Sequence, residues 1–227
     1  MNRRGWLQAG VVALGLVPLA WLAADAFGDR LGANPIEEIT HRTGDWTIRF
    51  LLATLAVTPL RRLTGWNWLI KFRRTIGLIA FSYATVHFLI YIGLDQGFAF
   101  AYIGEDIAKR PYITVGFTAF VFLIPLAITS TQGWVRRLGG KRWNALHRLV
   151  YVSAAGGVLH YLWLVKGDQV TPVYYAAVLV LLLALRIRRS PSAARAVEQR
   201  VDLLADASRG AQIGGEALHR PDARVQP

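Results

Sequence analysis

Apolar residues in this chain are bunched into stretches separated by short polar turns, at residues 7–26, 47–60, 75–94, 112–129, 147–165 and 172–185. A helix crosses about 30 Å of hydrocarbon in about 20 residues. The second and sixth stretches fall short of that, so their helices are expected to run past the apolar core. The pattern predicts an all-α integral membrane bundle of about six transmembrane helices. From about Ser190 the composition turns to Ala, Arg, Gln, Asp and Gly. Residues 1–189 are therefore expected to form the transmembrane domain and residues 190–227 a partly disordered cytoplasmic tail, with one amphipathic surface helix over 195–207. There is no internal repeat, phosphate-binding loop or dinucleotide fingerprint.

Composition agrees with a membrane chain, since 54% of residues are hydrophobic and only 18% are charged. The formal charge of +12 does not point to nucleic acid, because the basic residues sit at helix ends. If the spans alternate, Arg3 and Arg4, the Arg and Lys residues of 61–74 and 136–148, and Arg186, Arg188 and Arg189 share one side. Asp25, Asp29, Glu37, Glu38, Asp45, Asp95, Glu105, Asp106 and Asp168 share the other. The positive-inside rule then places both termini in the cytoplasm. Arg3-Arg4, the apolar run and Ala23-Ala24-Asp25-Ala26 also fit a cleaved signal peptide. An uncleaved helix is the preferred reading, and cleavage would leave five spans in the same orientation.

Cysteine is absent and Met1 is the only methionine. Disulfides, iron–sulfur clusters, thiolate ligation and covalent haem attachment are thereby excluded. Strong internal ligands for any haem must come from His41, His87, His147, His160 and His219. An ionisable residue inside a spanning helix is expensive and marks a functional site by default. His87 falls about 12 residues into the third predicted helix and His160 about 13 into the fifth, each roughly 18–20 Å above the inner boundary. Those helices run in the same direction, so the two histidines share a depth, as a bis-histidine haem requires. His147 lies 13 residues before His160, placing a second haem about 20 Å below the first. Thirteen residues of ideal helix turn a side chain roughly 140° from its starting face; Gly156 and Gly157 would permit a local distortion. The positions opposite His147 on the third helix are Arg73 and Arg74. Arginine stays protonated and is no iron ligand, but a guanidinium pairs with a haem propionate or a flavin phosphate. The competing readings are helix–helix hydrogen bonding for His87 and His160, headgroup contact for His147, an exposed loop for His41 and a solvated tail for His219. Tyr83, Tyr91, Tyr151 and Tyr161 are candidates to line the cavity, although aromatic packing is the commoner role.

Several blocks resemble the MsrQ (YedZ) family. These are Arg74-Thr-Ile-Gly77 leading into Tyr83-Ala-Thr-Val-His87, and Trp143-Asn-Ala-Leu-His147-Arg-Leu-Val-Tyr151 leading to His160-Tyr161. Asn34-Pro-Ile-Glu-Glu-Ile-Thr-His41-Arg-Thr-Gly44, Leu55-Ala-Val-Thr-Pro59-Leu-Arg61-Arg62, Arg110-Pro-Tyr-Ile-Thr-Val-Gly116 and Pro125-Leu-Ala-Ile-Thr-Ser130 extend the likeness over residues 34–185. The family is similar to the transmembrane domains of ferric reductases and NADPH oxidases, which stack two haems between their third and fifth helices. The resemblance implies a haem b subunit that passes electrons to MsrP, a periplasmic molybdopterin enzyme that reduces methionine sulfoxide in envelope proteins. It also implies use of flavin mononucleotide (FMN). Carried over by position, His87 and His160 match the outer-haem ligands and His147 an inner ligand, while Arg73 and Arg74 stand where the oxidases have the fourth histidine. One haem b is expected, and a second group, haem or FMN, falls to His147, Arg73 and Arg74.

About 40 residues follow the sixth helix, too few for a flavin and nicotinamide module. Electrons are therefore expected from membrane quinol or from a cytoplasmic flavin reductase meeting the basic face at 136–148. The outer loops at 25–45 and 95–110 are where a periplasmic partner would dock. No nucleophile–base constellation supports hydrolysis or group transfer, so the chain reads as an electron-transfer subunit rather than a catalytic one. Two alternatives stand beside that reading: a self-sufficient reductase of extracellular metal or oxygen, and a non-redox transporter or scaffold. The last has little support, because paired broken helices of the transporter kind are missing.

Overall fold

The computed structural model describes residues 3–165, 170–187, 199 and 201–202. Two units divide the chain, Met1–Leu185 and Arg186–Pro227, and nearly everything described belongs to the first. Among the described residues the secondary structure is wholly helical: α1 (Arg3–Phe27), α2 (Pro35–Thr64), α3 (Arg73–Ile90), α4 (Phe100–Lys109), α5 (Pro111–Ile128), α6 (Gln132–Leu146), α7 (Leu149–Leu164) and α8 (Val170–Ile187). A 3-10 turn at Asn67–Lys71 leads into α3, and a π-helical turn at Tyr91–Asp95 continues it. Asp168, Arg188, Arg189, His219 and the expected surface helix at 195–207 lie outside the described residues, apart from helical backbone at 199 and 201–202.

All six apolar stretches are helical, but only three helices among the described residues are long and apolar enough to cross a membrane: Gly5–Phe27, Arg73–Asp95 and Pro111–Ile128. The expectation of six is corrected to three by that measure, for identifiable reasons. Helix α2 has 30 residues but carries Glu37, Glu38, Arg42, Asp45 and Arg49 in its first half. Helix α7 has 16 residues, and the apolar part of α8, Val170–Arg186, also falls below the necessary length. The protein is a membrane-embedded all-α bundle whose helices differ in how fully they meet the requirement.

Local chemistry sets the ends of α2. The Asn34 side chain accepts a hydrogen bond from the Glu37 N–H, Pro35 opens the first turn, and Glu37 and Glu38 face the positive end of the helix dipole. At the other end Gly65 takes φ 74°, which a side chain would disfavour, and its N–H returns to the Arg61 carbonyl. Helix α6 is two short pieces joined at Gly139, where φ is 72°.

Packing follows residue size. Helix α2 runs along α3 and α5 along α7, with small residues where the backbones approach: Ala80 and Ala84 on α3, and Ala154 and Gly156 on α7. A Cβ on Gly156 would come within 3.0 Å of the Ala119 Cβ. Around these contacts Leu51, Leu55, Leu123, Val158 and Leu179 form the buried core. Trp21, Leu89, Val152, Trp163 and Leu181 instead point outward with large exposed apolar surfaces, as lipid contact demands.

Helix α1 is fastened at two levels. Tyr83 is fully buried and its hydroxyl donates to the Gly15 carbonyl at 2.7 Å. Nearer the other end Arg42 bridges Asp25 at 2.6 Å and Glu38 at 2.7 Å. Removing the hydroxyl with Tyr83→Phe is expected to cost about 1 kcal/mol of stability, read as a lower thermal midpoint of the detergent-purified protein. An unchanged midpoint would mean that this bond does not hold α1.

Candidate functional site

His87 projects from α3 and His160 from α7, and the fold brings their rings to a centroid separation of 6.4 Å with planes inclined by 78°. Each ring leans on the backbone of a different neighbouring helix. His87 Nδ1 lies 3.0 Å from the Thr40 carbonyl of α2, and His160 Nδ1 lies 2.7 Å from the Tyr112 carbonyl of α5. A carbonyl can only accept, so in both rings Nδ1 carries the proton and donates it. The Nε2 lone pair is left available in each.

A glycine makes each approach possible. Four residues after Thr40 stands Gly44, where a Cβ would lie 3.1 Å from His87 Cε1. Four residues after Tyr112 stands Gly116, where a Cβ would lie 2.7 Å from His160 Nδ1. The device is the same twice over: a helix offers a carbonyl, and one turn later a glycine clears space for the ring that reaches it. Thr43 adds its hydroxyl, 3.3 Å from His87 Nδ1.

Both histidines line a cavity of about 530 Å³. Leu51, Ala84, Phe88, Phe120 and Leu123 make its apolar walls, with Asn34, His41, Asp45, Asp106 and Arg110 on the polar side. Two polar atoms of lining residues, Asp45 Oδ1 and Ser153 Oγ, are buried without a hydrogen-bond partner. Helix α4 closes one side, pinned through buried Asp106, which accepts from the Tyr91 hydroxyl at 2.9 Å and pairs with Arg110 at 2.8 Å. Of the four tyrosines singled out, Tyr91 and Tyr161 line this cavity, whereas Tyr83 is taken up by α1. His41 lies on the cavity rim rather than in a loop, and it is exposed.

The residues fit a haem. Two metal–imidazole bonds of about 2 Å, plus about 1 Å from each donor nitrogen to its ring centre, span roughly 6 Å, close to the observed separation. A second hydrogen bond that fixes the tautomer is the usual partner of a metal-bound imidazole. The cavity volume is in the range of cofactor sites.

The inner candidates meet elsewhere. His147, Arg73 and Arg74 line a second cavity of about 380 Å³ together with Gly77, Trp143 and Val150. His147, expected at the inner end of the fifth predicted helix, lies two residues before α7, at the break between α6 and α7, where its N–H bonds the Trp143 carbonyl. The 140° rotation inferred from a continuous helix therefore does not apply, and α7 runs through Gly156 and Gly157 without interruption. Gly156 serves the approach to α5 instead. The His147 ring stacks on Trp143 at 3.8 Å, and its Nε2 lies 3.0 Å from the Thr129 hydroxyl. Among the described residues no cluster of three or more His, Cys, Asp or Glu could enclose a metal ion. The donor set here, one histidine beside two guanidiniums, suits an anionic group.

A helical membrane bundle with facing histidines on its third and seventh helices belongs to a recognisable class: residues 9–158 match the family model described as the ferric reductase like transmembrane component. Within that class the chain is 56% identical over 174 residues to the "Protein-methionine-sulfoxide reductase heme-binding subunit MsrQ" of Herminiimonas arsenicoxydans, covering 76% of this chain and 80% of that one. The protein of the same name from Rhodospirillum rubrum is 56% identical over 76% of this chain and 83% of its own length. That of Xanthomonas campestris pv. campestris strain 8004 is 51% identical over 83% and 88%. No solved structure matches. The chain belongs to the MsrQ family.

The glycine contacts generate a graded expectation. Gly116→Ala puts a methyl inside the contact distance of the His160 ring and must displace it, whereas Gly44→Ala is tighter than usual but less severe. The first is expected to reduce haem per protein markedly and to alter the low-temperature EPR spectrum, and the second to do so less. Wild-type haem content and spectrum in Gly116→Ala would show that the ring is not held against α5 in this way.

Proposed function

We propose that the chain is the haem-carrying electron-transfer subunit of a methionine sulfoxide repair pair, handing electrons across the inner membrane to a periplasmic MsrP-like molybdopterin reductase. The observation that carries the reading is the pair of available Nε2 atoms on rings 6.4 Å apart, each fixed by a carbonyl from another helix. When bound there, haem b supplies one-electron chemistry through its iron. His87 and His160 bind and orient it, α2 and α5 hold their tautomers, and α4 covers one side. The partner performs the reduction of the sulfoxide, and this chain is the carrier.

At the inner cavity Arg73, Arg74 and His147 would bind a second group. Two guanidiniums favour a propionate or a phosphate, which supports either a second haem or FMN. The six helices that hold the apolar stretches are taken to cross or re-enter the membrane with both termini cytoplasmic, residues 1–189 forming the embedded domain and 190–227 the tail. Arg136, Arg137, Lys141, Arg142 and Arg148 are all exposed on and beside α6, which supports docking of an acidic cytoplasmic flavin reductase; membrane quinol is the other donor class. The periplasmic partner meets the opposite end, at the start of α2 and at α4.

Haem-to-protein stoichiometry by pyridine haemochrome, with oxidised and reduced spectra, tests the assignment. The wild-type protein is expected to show a b-type bis-histidine spectrum, and His87→Ala with His160→Ala to remove the outer component. A purified double variant that keeps its full haem content would falsify the assignment. His147→Ala is expected to leave the outer spectrum intact while removing any second component.

A further inference from the structure

Seven-residue spacing puts Arg74, Phe81 and Phe88 on one face of α3, two turns apart each time. Arg74 and Phe81 line the inner cavity, and Phe88 lines the outer one beside the ligand His87. Helix α5 supplies the missing ring. Phe120 lines the outer cavity, lies 4.9 Å from Phe88 between centroids, and stacks on Phe81 at 6.0 Å with planes only 4° apart. Phe88, Phe120 and Phe81 therefore form an unbroken run of ring contacts from one cavity to the other. The remaining shared wall is saturated: Leu51 and Leu123 each line both cavities.

We infer that the Phe81–Phe120–Phe88 ladder is the electron path between the inner cavity and the His87–His160 site. The inference rests on the electron-carrier reading of the two cavities. Electronic coupling falls off with every gap that must be crossed through space, and more steeply through saturated carbon than through conjugated rings in contact. The Phe81–Phe120 pair thus offers stronger coupling than the Leu51 and Leu123 wall beside it. With both sites loaded, the transfer would be of a single electron, from a reduced group held by Arg73, Arg74 and His147 to an iron held by His87 and His160, which would go from ferric to ferrous. No bond between heavy atoms would form or break, and any proton given up by a reduced flavin would leave at the inner cavity. The part of the rings is to position and couple.

The test uses the full-length, haem-loaded protein in proteoliposomes, with photoreduced FMN supplied only to the face bearing Arg136 to Arg148. Reduction of the outer haem is followed by stopped-flow absorbance at the component that the His87 and His160 double substitution removes. Phe81→Leu and Phe120→Leu are each expected to slow it several-fold, the rate being taken per outer haem bound and compared at the midpoint potential measured for each variant. Phe120→Tyr, which keeps the ring, is expected to restore the rate. Wild-type rates in the Leu variants would overturn the ladder, and so would a Tyr variant as slow as the Leu variant, which would mark the rings as packing only. If leucine at either position strips the haem, methionine, saturated but longer, replaces it and is judged by the same criteria. A wild-type outer haem that FMN cannot reduce from this face removes the electron-carrier route itself, a failure distinguishable from loss of the ladder alone.

Discussion

Everything at the outer cavity depends on two close approaches, the His87 ring to the backbone at Gly44 and the His160 ring to the backbone at Gly116. Without them neither imidazole reaches its carbonyl and neither tautomer is fixed. The same contacts organise the bundle. Each histidine ring is borne by one helix and braced by another, so α2 with α3 and α5 with α7 become two clamped pairs around one space. Small residues at Ala80, Ala84, Ala154 and Gly156 let those pairs close to the distance at which a side chain meets a facing carbonyl.

This clamping also explains why helices of such different composition coexist in one bundle. Helix α2 carries five charged residues in its first half, yet several are absorbed locally: Arg42 by Asp25 and Glu38, and Arg49 by Asp45 and the Tyr175 hydroxyl. Paired in this way, the charges lie at the first half of α2 at modest cost, and the apolar second half continues into the core through Leu51, Leu52 and Leu55.

Much of this was legible in the amino-acid sequence. Long apolar runs report helices because side-chain transfer to lipid dominates the energetics there, and the matched positions of His87 and His160 follow from the helical rise alone. Other features were not. Helices α4 and α6 escaped notice because one is a short amphipathic turn-maker and the other a basic segment broken at Gly139, neither with an apolar run. The break at His147 and Arg148 was hidden because the apolar stretch was taken to begin at His147 itself, so the turn was counted as the first residues of the helix that follows. The hydrogen-bond acceptors were invisible in principle, since every residue offers a carbonyl; what singles out Thr40 and Tyr112 is a glycine four positions later, a signal present in the sequence but silent until a ring is seen against it. Only three helices among the described residues meet the length and composition of a full crossing; the charges in the first half of α2 and the 16-residue length of α7 are not weighed by the apolar runs alone.

The acceptors that brace the two imidazoles are neutral. Had α2 or α5 presented a carboxylate in place of a carbonyl, negative charge would be drawn onto the ring and the oxidised metal favoured. A peptide oxygen exerts that pull only weakly. With main chain rather than side chain as the brace, a metal held by the two rings on the proposed reading would feel no such pull from a neighbouring negative charge, and its potential would be left to its other surroundings.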